Sequence, residues 1–153
     1  MPGYRGHLIG GTWAFFLMLP IVYYVGIPDI ITLIEWCLCA LAGSLFPDID
    51  IKSKGQPYFY YAISFLFLIL IWHGWHEAVS WCSLVAFLPL FVKHRGLFHR
   101  TWFVIGFPLA IFGMVHSFFP HMAQPIFPHV LFFIGGALSH IFLDYRCAKL
   151  FKF

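Results

Sequence analysis

Six apolar runs, at residues 8–26, 29–46, 57–72, 75–92, 102–119 and 126–143, take up most of this chain. As helices, runs of this length cross or nearly cross the roughly 30 Å of hydrocarbon in a bilayer. Hydrocarbon offers no partner to a backbone N–H or C=O, so each run must close its own hydrogen bonds, as an α-helix does within one segment. The expectation is therefore an all-α fold: a polytopic transmembrane bundle of about six helices, forming one integral membrane domain over residues 1–153. Hydrophobic residues make up 61% of the chain and charged residues only 10%, a mixture far from that of soluble domains. Twenty Phe, seven Tyr and six Trp supply apolar area together with rings suited to the headgroup level.

Pro and Gly mark the breaks between runs, at Gly26-Ile27-Pro28, Pro47, Gly55-Gln56-Pro57, Gly74, Gly96 and from Pro120 to Pro128. Pro20, Pro89 and Pro108 fall inside runs, as kinks whose freed carbonyls neighbouring helices can satisfy. The first run reads as a mature helix rather than a signal peptide, because only Arg5 precedes it and no small-x-small cleavage site follows Tyr24.

Charge is sorted along this pattern. With six spans, one membrane face receives the N-terminus, the second and fourth connections and the C-terminus. Those segments hold Arg5; Lys52 and Lys54; Lys93, Arg95 and Arg100; and Arg146, Lys149 and Lys152, which are all nine basic residues of the chain. Basic residues near span ends stay on the cytoplasmic side, so both termini are expected there. The net charge of +3 is thus a topology signal. Without a basic tract it makes a poor surface for a nucleic-acid backbone, and no nucleic-acid partner is expected. Arg146, Lys149 and Lys152 interleave with Phe151 and Phe153 as an anchor to anionic membrane lipid. Cys37, Cys39, Cys82 and Cys147 lack the spacing of a zinc knuckle or a disulfide framework and read as packing residues.

The same face collects the groups that can carry chemistry. His7 enters the first run, Asp48 and Asp50 follow the second, His94 and His99 lie between the fourth and fifth, and His140 and Asp144 close the sixth. An ionisable group at membrane depth is costly without partners, which favours convergence over seven independent caps. Beyond Pro47 the chain is expected to be extended, so that Asp48 and Asp50 point the same way. His140 and Asp144, four residues apart, share a helix face. Small residues at Gly10-Gly11, Gly43-Ser44 and Gly135-Gly136-Ala137 with Ser139 let helices approach closely beside these groups. Mixed imidazole and carboxylate donors suit zinc, or else manganese or iron, better than calcium, which takes oxygen alone. Seven candidate ligands suffice for one or two ions. Such an ion would acidify a water and polarise a phosphoryl or carbonyl oxygen. Arg95 offers a planar fork for a phosphate oxygen.

These segments resemble the YdjM-type inner-membrane proteins of bacteria and archaea, over nearly the whole chain. That family shows an early His, a Gly-x-x-x-Pro-Asp-x-Asp segment, a His-Arg-Gly-x-x-His segment and a final His-x-x-x-Asp. Here they stand as His7, Gly43 to Asp50, His94 to His99, and His140 to Asp144. The resemblance implies a multi-pass protein of the bacterial or archaeal cytoplasmic (inner) membrane and a metal-dependent hydrolase activity. Its remoter similarity to zinc-dependent phospholipase C and P1-type nucleases implies phosphodiester cleavage. Two departures bear on substrate contacts. The family commonly reads Thr-His-Ser where this chain has Phe98-His99-Arg100, and its Thr and Gly after the last Asp are replaced by Tyr145 to Lys149.

The expected activity is therefore hydrolysis of a phosphoester, such as a lipid headgroup, at the cytoplasmic leaflet. Asp48, Asp50, His94, His99, His140 and Asp144 would bind metal, His7 would be a ligand or general base, and Arg95 would steady the reacting oxygens. The competing readings are a metal-ion or proton transporter with this cluster as its gate, and a non-catalytic scaffold with a structural metal. Transport usually needs polar residues through the midplane, where these runs are almost wholly apolar. Glu35, roughly 9 Å inside the second run at 1.5 Å per residue, is either functional or paired with His73 or His76. Those two histidines, with His116, His121 and His129, read as interfacial groups of the outer face.

Overall fold

The computed structural model describes residues 3–23, 27–48, 55–72, 74 and 97–150. The elements are α1 (Tyr4–Tyr23), α2 (Ile30–Leu45), a 3-10 turn (Phe46–Asp48), α3 (Gly55–Trp72), α4 (Thr101–Phe118) and α5 (Pro120–Leu150). There is no strand among the described residues. The run at 75–92 lies outside them, as does Pro89. The chain forms two compact units, Met1–Pro47 with His99–Phe153, and Asp48–Phe98. The first holds α1, α2, α4 and α5, and the second holds α3.

Among the described residues, three stretches are long and apolar enough to cross a membrane: Tyr4–Val22, Ile30–Asp48 and Ala123–Tyr145. Thr101–Ser117 is a shorter apolar helix. On α1 the exposed large residues Ile9, Trp13, Phe16, Leu17 and Ile21 recur at helical spacing, as do Ile30, Ile31, Ile34 and Leu38 on α2. In water such stripes would drive association, whereas in hydrocarbon they face a matching solvent.

Within the first unit α5 is the hub, packed against α2, α1 and α4, while α1 also packs on α2. Phe15 and Val22 from α1, Trp36 and Ala40 from α2 and Phe132 from α5 form its apolar centre. The Trp36 and Phe132 rings stack with centroids 5.1 Å apart. Phe112 of α4 meets Phe127 of α5 at 5.1 Å. Glycines bring the backbones together: a Cβ on Gly43 would strike the Phe133 carbonyl, one on Gly136 the Ala40 carbonyl, and one on Gly11 the Ser44 hydroxyl at 2.7 Å. Without a hydrophobic force between helices in lipid, such close packing is what holds a bundle together.

The structure corrects two expectations. Pro120 to Pro128 do not form a break, because α5 runs through Pro125 and Pro128. Pro120 is the first residue of the helix, where its missing N–H costs nothing. Pro125 and Pro128 withdraw only the N–H groups that would have met the carbonyls of His121 and Gln124, close to the helix start. Packing of Ala123 and Phe127 keeps the segment in register. The second concerns Asp48, which ends a 3-10 turn instead of beginning an extended stretch beyond Pro47; residues 49 and 50 lie outside the described residues. Pro20 and Pro108 do lie within helices, α1 and α4.

Candidate metal centre

Asp144 gathers three imidazoles. His7, in the first turn of α1, has Nε2 3.6 Å from Asp144 Oδ1. His140, one turn before Asp144 on α5, has Nε2 3.6 Å from Oδ2. His99, directly ahead of Arg100 at the N-cap of α4, has Nε2 3.8 Å from Oδ2. The α1 start, α4 start and α5 end therefore meet at one level, and so does the α2 end, because His140 Nδ1 lies 2.7 Å from the Ser44 carbonyl. His7 is 2% exposed and His140 is fully buried. Their rings stack with centroids 3.7 Å apart and planes 14° from parallel, and His99 meets His140 edge-on at 5.5 Å.

A carbonyl can only accept, so His140 donates from Nδ1 to Ser44 and its Nε2 lone pair is left on the Asp144 side. Separations of 3.6 to 3.8 Å are too long for hydrogen bonds. They are close to the roughly 3.4 Å between two donors on one ion with bonds of about 2.05 Å at tetrahedral angles. Donor atoms of His7, His140 and Asp144 all lie within 4.8 Å of one another. His7 Nδ1 and Asp144 Oδ1 are buried without a hydrogen-bond partner among the described residues, a costly arrangement unless another group completes the site. The donor set and its spacing fit a divalent ion of the zinc, manganese or iron kind.

Of the residues singled out in the sequence, His7, His99, His140 and Asp144 come together. Asp48 ends the 3-10 turn and belongs to the second unit. Asp50, His94 and Arg95 lie outside the described residues, as do His73 and His76. Ser44 was legible only as a small residue. Its role comes from its backbone carbonyl, one of the last four of α2 that have no partner within the helix. The signal that could have found it is Pro47, three residues on, which has no N–H to offer that carbonyl.

Glu35 meets His129, whose Nε2 lies 3.0 Å from Glu35 Oε2, while His73 and His76, its expected partners, lie outside the described residues. His129 Nδ1 donates to the Pro125 carbonyl at 2.9 Å. The Pro-rich start of α5, read as a connection, is what carries His129 to α2.

The model of the YdjM inner membrane protein family matches residues 1–149. The chain belongs to this family. No curated protein and no solved structure matches it. The YdjM match includes every residue of the centre and nearly all of α5, so the cluster is part of the family domain rather than an appendage. The family description, an inner membrane protein, accords with the three membrane-length helices.

Proposed function

We propose that this YdjM-family protein is a multi-pass, metal-dependent hydrolase that cleaves a phosphoester, a lipid headgroup or similar, at the cytoplasmic leaflet. The observation that carries the reading is the convergence of His7, His99 and His140 on Asp144 at 3.6 to 3.8 Å. In this reading the four residues hold a divalent ion, with zinc first among the candidates. Asp48, Asp50 and His94 add ligands for that ion or a second one. Asp48 stands four residues after Ser44 in the chain, a short tether from the carbonyl bonded to His140. The ion supplies Lewis acidity and lowers the pKa of water at the site.

The protein's own groups do the remaining work. Asp144 neutralises charge and orients the imidazoles, His7 serves as a ligand stacked on His140, and Arg95 binds the phosphate oxygens through its planar fork. A phosphodiester is the substrate class this reading assigns. About six spans, with both termini cytoplasmic, set this centre beside lipid headgroups, since all nine Lys and Arg fall in the segments of that face. Transport is disfavoured by the packing between the centre and the Glu35–His129 pair. There α2 and α5 meet through Trp36, Ala40 and Phe132, which give an ion or proton no relay.

The test is metal content by mass spectrometry on detergent-purified protein, beside Asp144→Ala, His140→Ala and Asp48→Ala, followed by a screen of phosphoesters. One or two equivalents of metal, lost in the variants together with hydrolysis, are expected. Metal retained in both Asp144→Ala and His140→Ala would overturn the assignment.

A further inference from the structure

We infer that Pro47 and Gly136 are positioning residues, which together reserve the Ser44 carbonyl for His140 Nδ1 and so fix the ligating lone pair on Nε2. The inference rests on the metal-centre reading. A neutral imidazole has two tautomers, and only the one with its proton on Nδ1 presents a lone pair from Nε2 toward Asp144. Here the choice is made by the buried bond of 2.7 Å from Nδ1 to the Ser44 carbonyl. Orienting bonds of this kind are worth about 10- to 100-fold in metal affinity.

Two features of the chain make that carbonyl available. Ser44 stands in the last turn of α2, and the residue that would close a 3-10 bond to it is Pro47, which has no N–H. The Ser44 hydroxyl is turned away, donating to the Leu41 carbonyl at 2.7 Å. The second feature is distance. Gly136 lies one helical turn before His140, and a Cβ there would strike the Ala40 carbonyl and come within 2.9 Å of Ser44 N. Both are backbone atoms, so the helices would have to part. The ring of His140 reaches the carbonyl because α5 rests on α2 at this point.

The experiment uses full-length protein in detergent, labelled with 15N at histidine. Two-bond nitrogen–proton correlations report the tautomer, with the His140 signals identified from their loss in His140→Gln. Zinc affinity is measured by competition with a chelator. Wild type should show His140 protonated at Nδ1 alone. Pro47→Ala and Gly136→Ala should each populate the Nε2-protonated form and weaken zinc binding by about 10- to 100-fold. Gly10→Ala, whose Cβ meets the flexible tip of Leu143 at 2.5 Å, tests helix packing alone and should keep the wild-type tautomer. Should Gly136→Ala fail to fold, Pro47→Ala decides. An unchanged tautomer and affinity in the folded variants would overturn the inference. Absence of zinc binding in wild type, with the tautomer still shifting in the variants, would instead fail the metal reading and leave the positioning role standing.

Discussion

Asp144 is the residue on which the centre turns, because each of three imidazoles faces one of its oxygens at a distance that suits a shared ion and not a hydrogen bond. An ion that binds only the folded protein stabilises it by RT ln(1 + [L]/Kd), about 2.7 kcal/mol when zinc is present at about 100 times its dissociation constant. Chelation should therefore lower the thermal midpoint of the wild type measurably. Asp144→Asn, which keeps the size of the side chain but removes the anion, should show the lower midpoint with or without zinc. A zinc-dependent midpoint that survived in Asp144→Asn would remove the carboxylate from the ligand set. The pairing of His140 with Asp144 was legible, since four residues in a helix bring two side chains onto one face. The Ser44 carbonyl was not, because a backbone acceptor leaves no residue type to read and shows itself only where a proline withholds the usual donor.

At the scale of elements, α2 is fixed at both ends by different devices. Its N-cap, Asp29, accepts the Thr32 N–H at 2.7 Å. Bonds from the Thr32 hydroxyl and backbone hold the Asp29 carboxyl below its ordinary value. A lowered folded-state value means that this contribution is complete above the ordinary carboxylate range and is lost as pH falls through the folded value. The gap in thermal midpoint between wild type and Asp29→Asn, followed downward from pH 6, should hold steady and then change only in the acid range. A gap that varied near neutrality would contradict the cap assignment. Further along, Glu35 ties α2 to His129 of α5. A double-mutant cycle with Glu35→Leu and His129→Leu should give a coupling of about 0.6 kcal/mol, within the roughly 1.7 kcal/mol ceiling of polar pairs in membranes. A coupling of zero would mean that the two side chains act independently. The apolar runs anticipated α1 to within four residues at either end, and α2, α3 and α4 more closely, because length and hydropathy decide which segments must be helical. The first turns of α5 escaped notice because three prolines in nine residues from Pro120 ordinarily signal a turn. Here the missing N–H groups fall near the helix start, and packing on α4 overrides local preference.

For the whole molecule, the decisive relation is that the start of α1 and the end of α5 meet. His7 and Asp144 lie 3.6 Å apart, so α1 and α5 run in opposite directions within their unit. The end of α2 and the start of α4 reach the same level through Ser44, His140 and His99. The proposed orientation of the chain comes from its basic residues, and it is open to direct test. A fluorescent protein that folds only in the cytoplasm, fused after Phe153, should therefore be bright, and a phosphatase that works only outside the membrane, fused at the same point, should be inactive. Fusions after Val25, beyond the end of α1, should show the reverse. A bright phosphatase signal at Phe153 would place the centre on the outer face, leave the basic segments on the wrong side, and direct the search for substrate to the outer leaflet.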